Sequence, residues 1–181
     1  ERTGGPTPSF WGMYDRTVVV NGLSKAYGLP GIRMGWIAGP KDFIAKTWPY
    51  HDYTTISPSV LSDRIARIAL APANREKIIK RTRSIIRKNF PVLESWLNKR
   101  SGLFSFVPPR AGAIAFARYA LKINSTELVT RLIKEKSTLI VPGDHFEMDR
   151  YLRFGFGSEP AYLEKGLARV GELLAKIPAR N

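Results

Sequence analysis

Apolar residues in the first quarter of the chain form two short runs separated by a glycine-rich loop. The run Thr17–Asn21 (TVVVN) is β-branched, which is typical of a strand buried on both faces. A second strand is predicted over Ile32–Ala38. A helix is predicted over Lys41–Trp48 and should end there, because Pro49 cannot continue the hydrogen-bond pattern.

Helical spacing then dominates up to about residue 100. Ser57 is the predicted N-cap of a helix that has Pro58 at its first position and runs to about Leu70. A longer helix should follow, capped by Asn74, and Pro91 is expected to kink or divide it.

The rest of the chain alternates between strand and helix patterns. The predicted elements are strands over Phe104–Val107 and Ala113–Tyr119, a helix from Ser125 or Thr126 to about Lys136, strands over Thr138–Val141 and Tyr151–Phe156, and a helix over Ala161–Ile177. The predicted fold class is therefore α/β at first and α+β afterwards.

Composition narrows the class of protein. The chain has 181 residues, 44% of them hydrophobic, which is enough for a buried core and excludes a disordered basic tail. The absence of cysteine excludes a disulfide scaffold and a thiolate zinc site, and two histidines make a histidine-rich metal site a poor interpretation. No apolar run approaches the roughly 18 residues that span a bilayer, so we expect no membrane segment and a cytoplasmic location. The chain opens at Glu1 with a Gly/Pro-rich stretch, and we expect it to be a piece of a longer protein.

The net charge of +14 is concentrated in one helix. The stretch Ala73–Arg100 holds nine basic and two acidic residues, half of the net charge, around a single apolar stripe. A solvated helix face is the simpler interpretation, and no DNA- or RNA-binding motif accompanies it. A basic nucleic-acid-binding module built on this helix stays open as an alternative.

The stretch with the clearest chemistry is NGLSKAYGLPGIRMGW, residues 21–36. Lys25 follows a strand inside a glycine-rich loop, where an amine withdrawn from water is suited to imine chemistry with a carbonyl compound. Arg33, eight residues later, stands between glycines and can bind a phosphate through two parallel bonds. A phosphorylated aldehyde held at both ends is one interpretation. A solvated lysine in a turn beside a structural arginine is the other.

The pattern S-K-x-x-G-x-x-G-x-R-x-G resembles the lysine signature of class I and II aminotransferases, the fold-type I enzymes that use pyridoxal 5′-phosphate (PLP). It is carried here by Ser24, Lys25, Gly28, Gly31, Arg33 and Gly35. The resemblance covers essentially the whole chain as the C-terminal half of such an enzyme. It implies the last strands of a large PLP-binding α/β domain in residues 1–55, followed by a small α+β C-terminal domain in residues 56–181.

The resemblance also implies roles for individual residues. Lys25 is expected to form the internal Schiff base with PLP and then to act as general base. Arg33 is expected to bind the PLP phosphate with help from Ser24. In many relatives a serine that also contacts the phosphate stands three residues before the lysine. Gly22 occupies that position here. The sequence of residues 21–31 is similar to that of a capreomycidine-synthase-like branch of the family.

Arg153 lies in the predicted strand Tyr151–Phe156 (YLRFGF). Aminotransferases of this class carry an arginine in a matching strand, and the resemblance implies that Arg153 binds the substrate α-carboxylate through a bidentate pair. An arginine forming an ordinary surface pair is the alternative.

Four further residues are weaker candidates. Tyr27 is expected either to line the cofactor pocket or simply to pack. Tyr53 and Ser57 precede a predicted helix N-terminus, and in relatives this region approaches the neighbouring subunit's cofactor. His145 stands among acids, but nothing in the spacing indicates metal-ligand geometry, and no metal is expected.

The implied activity is transfer of an amino group between an α-amino acid and a 2-oxo acid, by a homodimer with no specific nucleic-acid partner. Decarboxylation, elimination or cyclisation with the same cofactor stays open as an alternative. In the family, the acid that pairs with the cofactor's ring nitrogen precedes the lysine by roughly three dozen residues, so Lys25 stands too near residue 1 for it to be present. We therefore expect the chain alone to be inactive.

Overall fold

A computed structural model of the protein describes residues 7–177. Residues 1–6, which form most of the N-terminal Gly/Pro-rich stretch, lie outside the described residues. The chain divides into two compact units, one ending at Thr82 and the other beginning at Arg83. The division of residues 1–55 and 56–181 that the resemblance implies stays a prediction.

The first unit contains a pair of antiparallel strands, β1 (Val19–Gly22) and β2 (Gly35–Ala38). Both lie where the apolar runs predict strands, although each is shorter. The prediction that the first strand is buried on both faces is wrong for the described chain, because Val20 is 74% exposed. The physical reason is that no element of the described chain packs over the face of the β1–β2 pair that carries Val20.

Two helices follow the strands, α1 (Lys41–Thr55) and α2 (Val60–Leu70). Pro49 does not end α1 but lies inside it, since a proline removes one hydrogen bond without preventing the turns on either side from forming. Ser57 is not an N-cap, because α2 begins three residues later, with Ser59 at the N-cap position.

The basic stretch forms a single helix, α3 (Pro72–Asn98). Asn74 lies within its first turn instead of capping it, and its side-chain amide donates to the carbonyl of Ile68 at 2.9 Å. Pro91 does not divide the helix, which continues through it to Asn98.

The second unit is an antiparallel sheet packed against helices. Its sheet has the order β3-β4-β6-β5, formed by β3 (Phe104–Phe106), β4 (Ile114–Tyr119), β5 (Val141–Pro142) and β6 (Tyr151–Gly155), and its helices after α3 are α4 (Ser125–Lys136) and α5 (Pro160–Leu174).

The predicted elements of this unit all occur, with shifted ends. The predicted strand Thr138–Val141 shortens to β5, because only Val141 and Pro142 pair with β6. The cap of α4 is Asn124 and not Ser125 or Thr126. Its side-chain oxygen accepts from the backbone N–H groups of Thr126 and Glu127.

A buried apolar cluster holds the second unit together. It comprises twenty buried side chains from α3, the sheet, α4, α5 and the segments that join them, with Leu93, Leu128 and Leu152 fully enclosed. Alternation along β6 sends Leu152 and Phe154 into this core and leaves Arg153 on the opposite face of the sheet. Among residues 7–177, no helix combines the length and the apolar character needed to cross a membrane.

Candidate cofactor site

The loop that carries Lys25 is closed at its base by the strand ladder. The backbone N–H of Leu23 donates to the carbonyl of Met34 at 3.0 Å, one step beyond the pair Gly22 and Gly35. A second bond runs from the Leu29 N–H to the Leu23 carbonyl at 2.9 Å. Residues 23–34 therefore form a compact loop with fixed ends.

The two glycines at the base of the loop approach each other closely. A Cβ atom on Gly22 would lie 3.0 Å from the Met34 carbonyl oxygen, and one on Gly35 would lie 2.9 Å from the Asn21 carbonyl oxygen. Any side chain at position 22 must therefore push the facing strand away. Gly22 is thus matched to the local backbone.

Lys25 opens a tight turn at the tip of this loop. Its carbonyl accepts from the Gly28 N–H at 3.0 Å, and Gly28 has a φ of 65°, a conformation that glycine adopts without strain. The Lys25 side chain is exposed in the described chain, so the expectation that its amine is withdrawn from water is not met there. Leu23 and Tyr27, on either side, are buried and fix the loop against α2 and α3.

Arg33 ends the same loop in a left-handed conformation, with φ 53° and ψ 39°. One guanidinium nitrogen, Nη1, donates to the Pro30 carbonyl at 3.1 Å, and the side chain is otherwise exposed. Ser24 is half-buried beside Lys25. One short loop thus carries an exposed amine, a hydroxyl and an oriented guanidinium, a donor set that fits an aldehyde at one end and a phosphate at the other.

Tyr27 packs inside the unit, which is the second of its two predicted alternatives. It is 7% exposed, its hydroxyl accepts from Nε of Arg75 at 3.2 Å, and its carbonyl accepts from Nη2 of Arg81 at 3.3 Å. Both arginines belong to the basic face of α3. That face was predicted to be solvated and these contacts were not predicted, since helical spacing carries no information on what a long side chain reaches.

Tyr53 and Ser57 do not join this loop in the described chain. Tyr53 lies within α1 and is 93% exposed, and Ser57 is exposed in the segment between α1 and α2. No hydrogen bond or ring contact within residues 7–177 links either side chain to the lysine loop.

Arg153 belongs to the second unit, at the centre of β6. Its register partners are Phe116 on β4 and Val141 on β5. On this face Phe116 stacks on Tyr151 with ring centroids 4.9 Å apart. Arg153 also borders a cavity of about 420 Å³, whose other walls come mainly from residues 137–141 and from α5.

The acids around His145 serve the start of α4. Asp149 accepts from the backbone N–H of Ser125 at 2.8 Å, and this bond holds the pKa of Asp149 below its ordinary value. Thr126 donates to Asp144, which accounts for the second acid. In the described range, no group of three or more His, Cys, Asp or Glu side chains is arranged to hold a metal ion.

A family model described as "Aminotransferase class I and II" matches residues 3–170. The chain belongs to this family. The family and the fold class that the resemblance predicted are both confirmed. Among solved structures, a PLP-dependent aminotransferase from Streptococcus suis 89-1591 superposes with a TM-score of 0.89 at 35% identity, covering 96% of this chain and 46% of that one.

Two further relatives carry names that refer to different activities. Capreomycidine synthase of Streptomyces vinaceus is 35% identical over 160 residues, covering 88% of this chain and 41% of the relative. An aspartate aminotransferase of Rhizobium meliloti is 31% identical over 176 residues, covering 92% and 42%. The chain thus spans less than half the length of the relatives it matches.

Proposed function

We propose that this chain is the lysine-bearing part of a PLP-dependent aminotransferase that exchanges an amino group between an α-amino acid and a 2-oxo acid. The observation that carries the proposal is the loop 23–34, which presents an amine, a hydroxyl and a guanidinium in the family's order. The matched relatives are more than twice as long, which supports a second part of the site outside this chain.

Each residue of the loop would then have a defined task. Lys25 would bind the cofactor's aldehyde carbon and, once the substrate amine has displaced it, would move the proton at the substrate Cα. Arg33 and Ser24 would bind the phosphate, and Arg153 the substrate carboxylate. When bound, PLP supplies an electron-accepting ring for the bonds at that Cα.

Borohydride reduction tests the assignment of Lys25. The protein is incubated with PLP, reduced, digested, and the modified lysine is mapped by mass spectrometry. We expect the adduct on Lys25, its loss in Lys25→Ala, and its retention in the control Lys46→Ala, which removes an exposed lysine of α1. An adduct on another lysine of the unaltered protein contradicts the proposal.

The isolated 181-residue chain provides a second test. We propose that it is inactive, because the acid that pairs with the cofactor's ring nitrogen is supplied by polypeptide outside it. Measurable transaminase turnover by this chain alone contradicts that part of the proposal.

A homodimer in the cytoplasm is also part of the proposal. Helix α2 supports the dimer, because Leu61, Ile65 and Ile68 form an exposed apolar stripe at helical spacing, of the kind that marks an interface. Light scattering tests it. The full-length protein should be dimeric, Ile68→Asp should weaken the dimer, and Lys80→Asp on α3 should leave it intact. Cell fractionation tests the location.

A second candidate reaction is cyclisation of an amino acid on the same cofactor. Capreomycidine synthase and a solved PLP-dependent cyclase, OrfR, which is 28% identical with a TM-score of 0.81, both resemble this chain. A half-reaction with an amino donor separates the candidates, because a transaminase releases the 2-oxo acid whereas a cyclase returns a cyclic product with its nitrogen retained.

A further inference from the structure

Tyr27 connects the lysine loop to helix α3 at two points. Its side chain is buried together with Leu23 and Ala66, which fixes the ring. Arg75 donates to the phenol oxygen at 3.2 Å, and Arg81 donates to the backbone carbonyl at 3.3 Å. The donors stand six residues apart on α3, about 9 Å along the helix axis, so the two ends of one residue are held from separate turns.

The bond from Arg81 acts on the backbone beside Lys25. The Tyr27 carbonyl belongs to the turn that begins at Lys25 and closes through the Gly28 N–H. The same guanidinium lies against Gly28, where an added Cβ would stand 3.0 Å from Nη2. The turn, its glycine and Arg81 therefore fit one another closely.

Within residues 7–177, no acid holds either of these arginines elsewhere. Neither forms an ion pair with a carboxylate within 4.0 Å in the described part of the chain. In the described part of the chain, the side-chain hydrogen bonds of both arginines go to Tyr27 alone. Both arginines are exposed like most cations of α3, but each places one nitrogen within hydrogen-bond distance of Tyr27.

We infer that Arg81, assisted by Arg75, is a positioning residue for Lys25. The lysine side chain has four rotatable bonds, so the place where its amine works depends first on a fixed Cα. Arg81 fixes that backbone through Tyr27, and small displacements of a reacting group are costly. The inference rests on the proposed role of Lys25 as the cofactor-binding lysine.

Two measurements on the full-length protein test the inference, with Arg81→Gln compared against Lys80→Gln, the neighbouring exposed cation. Without cofactor, hydrogen exchange of the Gly28 and Leu29 amides should quicken about tenfold in Arg81→Gln, as expected for loss of one local bond, and stay unchanged in Lys80→Gln. With PLP added, the pH midpoint of the cofactor's absorbance change should move in Arg81→Gln only.

Two further variants keep the test informative if Arg81→Gln folds poorly. Arg81→Lys keeps the positive charge and a single donor nitrogen, and it should restore part of the exchange protection. Tyr27→Phe removes only the Arg75 bond and should have the smaller effect. Exchange rates or an absorbance midpoint in Arg81→Gln equal to those of Lys80→Gln overturn the inference.

The outcome is distinguishable from a failure of the proposed function. Amide exchange is measured without PLP, so it reports on the loop whether or not Lys25 carries the cofactor. If exchange responds as expected while borohydride labels another lysine, the proposed function fails and the positioning role toward the cofactor fails with it. If Lys25 is labelled and exchange is unchanged, only the inference is lost.

Discussion

The two units of this chain bury their apolar residues to very different degrees. The unit that begins at Arg83 encloses twenty apolar side chains in one cluster, whereas in the unit that ends at Thr82 the corresponding cluster contains Leu23, Tyr27 and Ala66. Most of the large exposed apolar side chains of the described chain lie in the first unit, both within residues 10–18 and on β1, β2, α1 and α2. The second unit thus has a self-sufficient core, whereas the apolar surface of the first unit is suited to being covered.

The packed core and the candidate cofactor loop therefore lie in different units. The second unit satisfies its own packing and contributes the predicted carboxylate-binding Arg153. The first unit presents Lys25 and Arg33 on a loop whose inner side is packed and whose outer side is open. Sites that bind a large cofactor need such open groups on a fixed support, and the support here is the Leu23 and Tyr27 packing.

The largest expected effect is on the core of the second unit. Leu152→Ala should lower the free energy of unfolding by about 3 kcal/mol, because it leaves a cavity beneath the sheet. Leu139→Ala makes the same chemical change where the side chain is 75% exposed, and should cost under about 0.5 kcal/mol. Urea unfolding of both variants measures the contrast, and equal losses contradict it.

A buried polar side chain offers a second way to break the comparison. Asn89 is fully buried on α3 and donates to the carbonyls of Phe156 and Ser158. Asn89→Leu leaves both carbonyls unpaired and should cost about 2 kcal/mol. Asn98→Leu, at the exposed end of the same helix, is the control in urea unfolding. A loss no larger than the control's indicates that the two bonds add nothing.

Gly28→Ala tests how tightly the first unit holds its loop. Alanine is strained at a φ of 65° and meets the Arg81 guanidinium, so the variant should lose about 1 kcal/mol. Gly31→Ala is the matched control, because a Cβ there meets no atom within 4 Å. Thermal unfolding compares the two, and an equal midpoint shift argues against strain at Gly28.

The smallest expected effect is a pH dependence at the start of α4. The pKa of Asp149 is lowered in the folded state, so its bond to Ser125 stabilises the fold above the ordinary carboxyl pKa and is lost as pH falls through the lowered value. Asp149→Asn should therefore be less stable at neutral pH and converge with the unaltered protein in acid. Unfolding midpoints between pH 7 and pH 3 measure this, with Glu147→Gln as control. Parallel curves contradict it.

The sequence by itself determined the order of elements, the family and the candidate loop. Alternation and helical spacing are local properties, which is why β4, α4 and β6 occur where expected. The lysine motif is also local, since the loop glycines and the arginine proposed to bind phosphate stand at set distances along the chain. Helix ends were less predictable, as Pro49 and Asn74 show, because neighbouring turns decide whether a helix continues.

Only the tertiary structure decided which long side chains reach the loop and which faces are covered. Arg75 and Arg81 are indistinguishable from other cations of α3 in sequence, and their contacts with Tyr27 depend on how α3 packs against the loop. The exposure of Val20 likewise depends on which element packs over the β1–β2 pair, and no residue of β1 encodes that. Contacts between distant residues arise from packing, and a local pattern does not carry them.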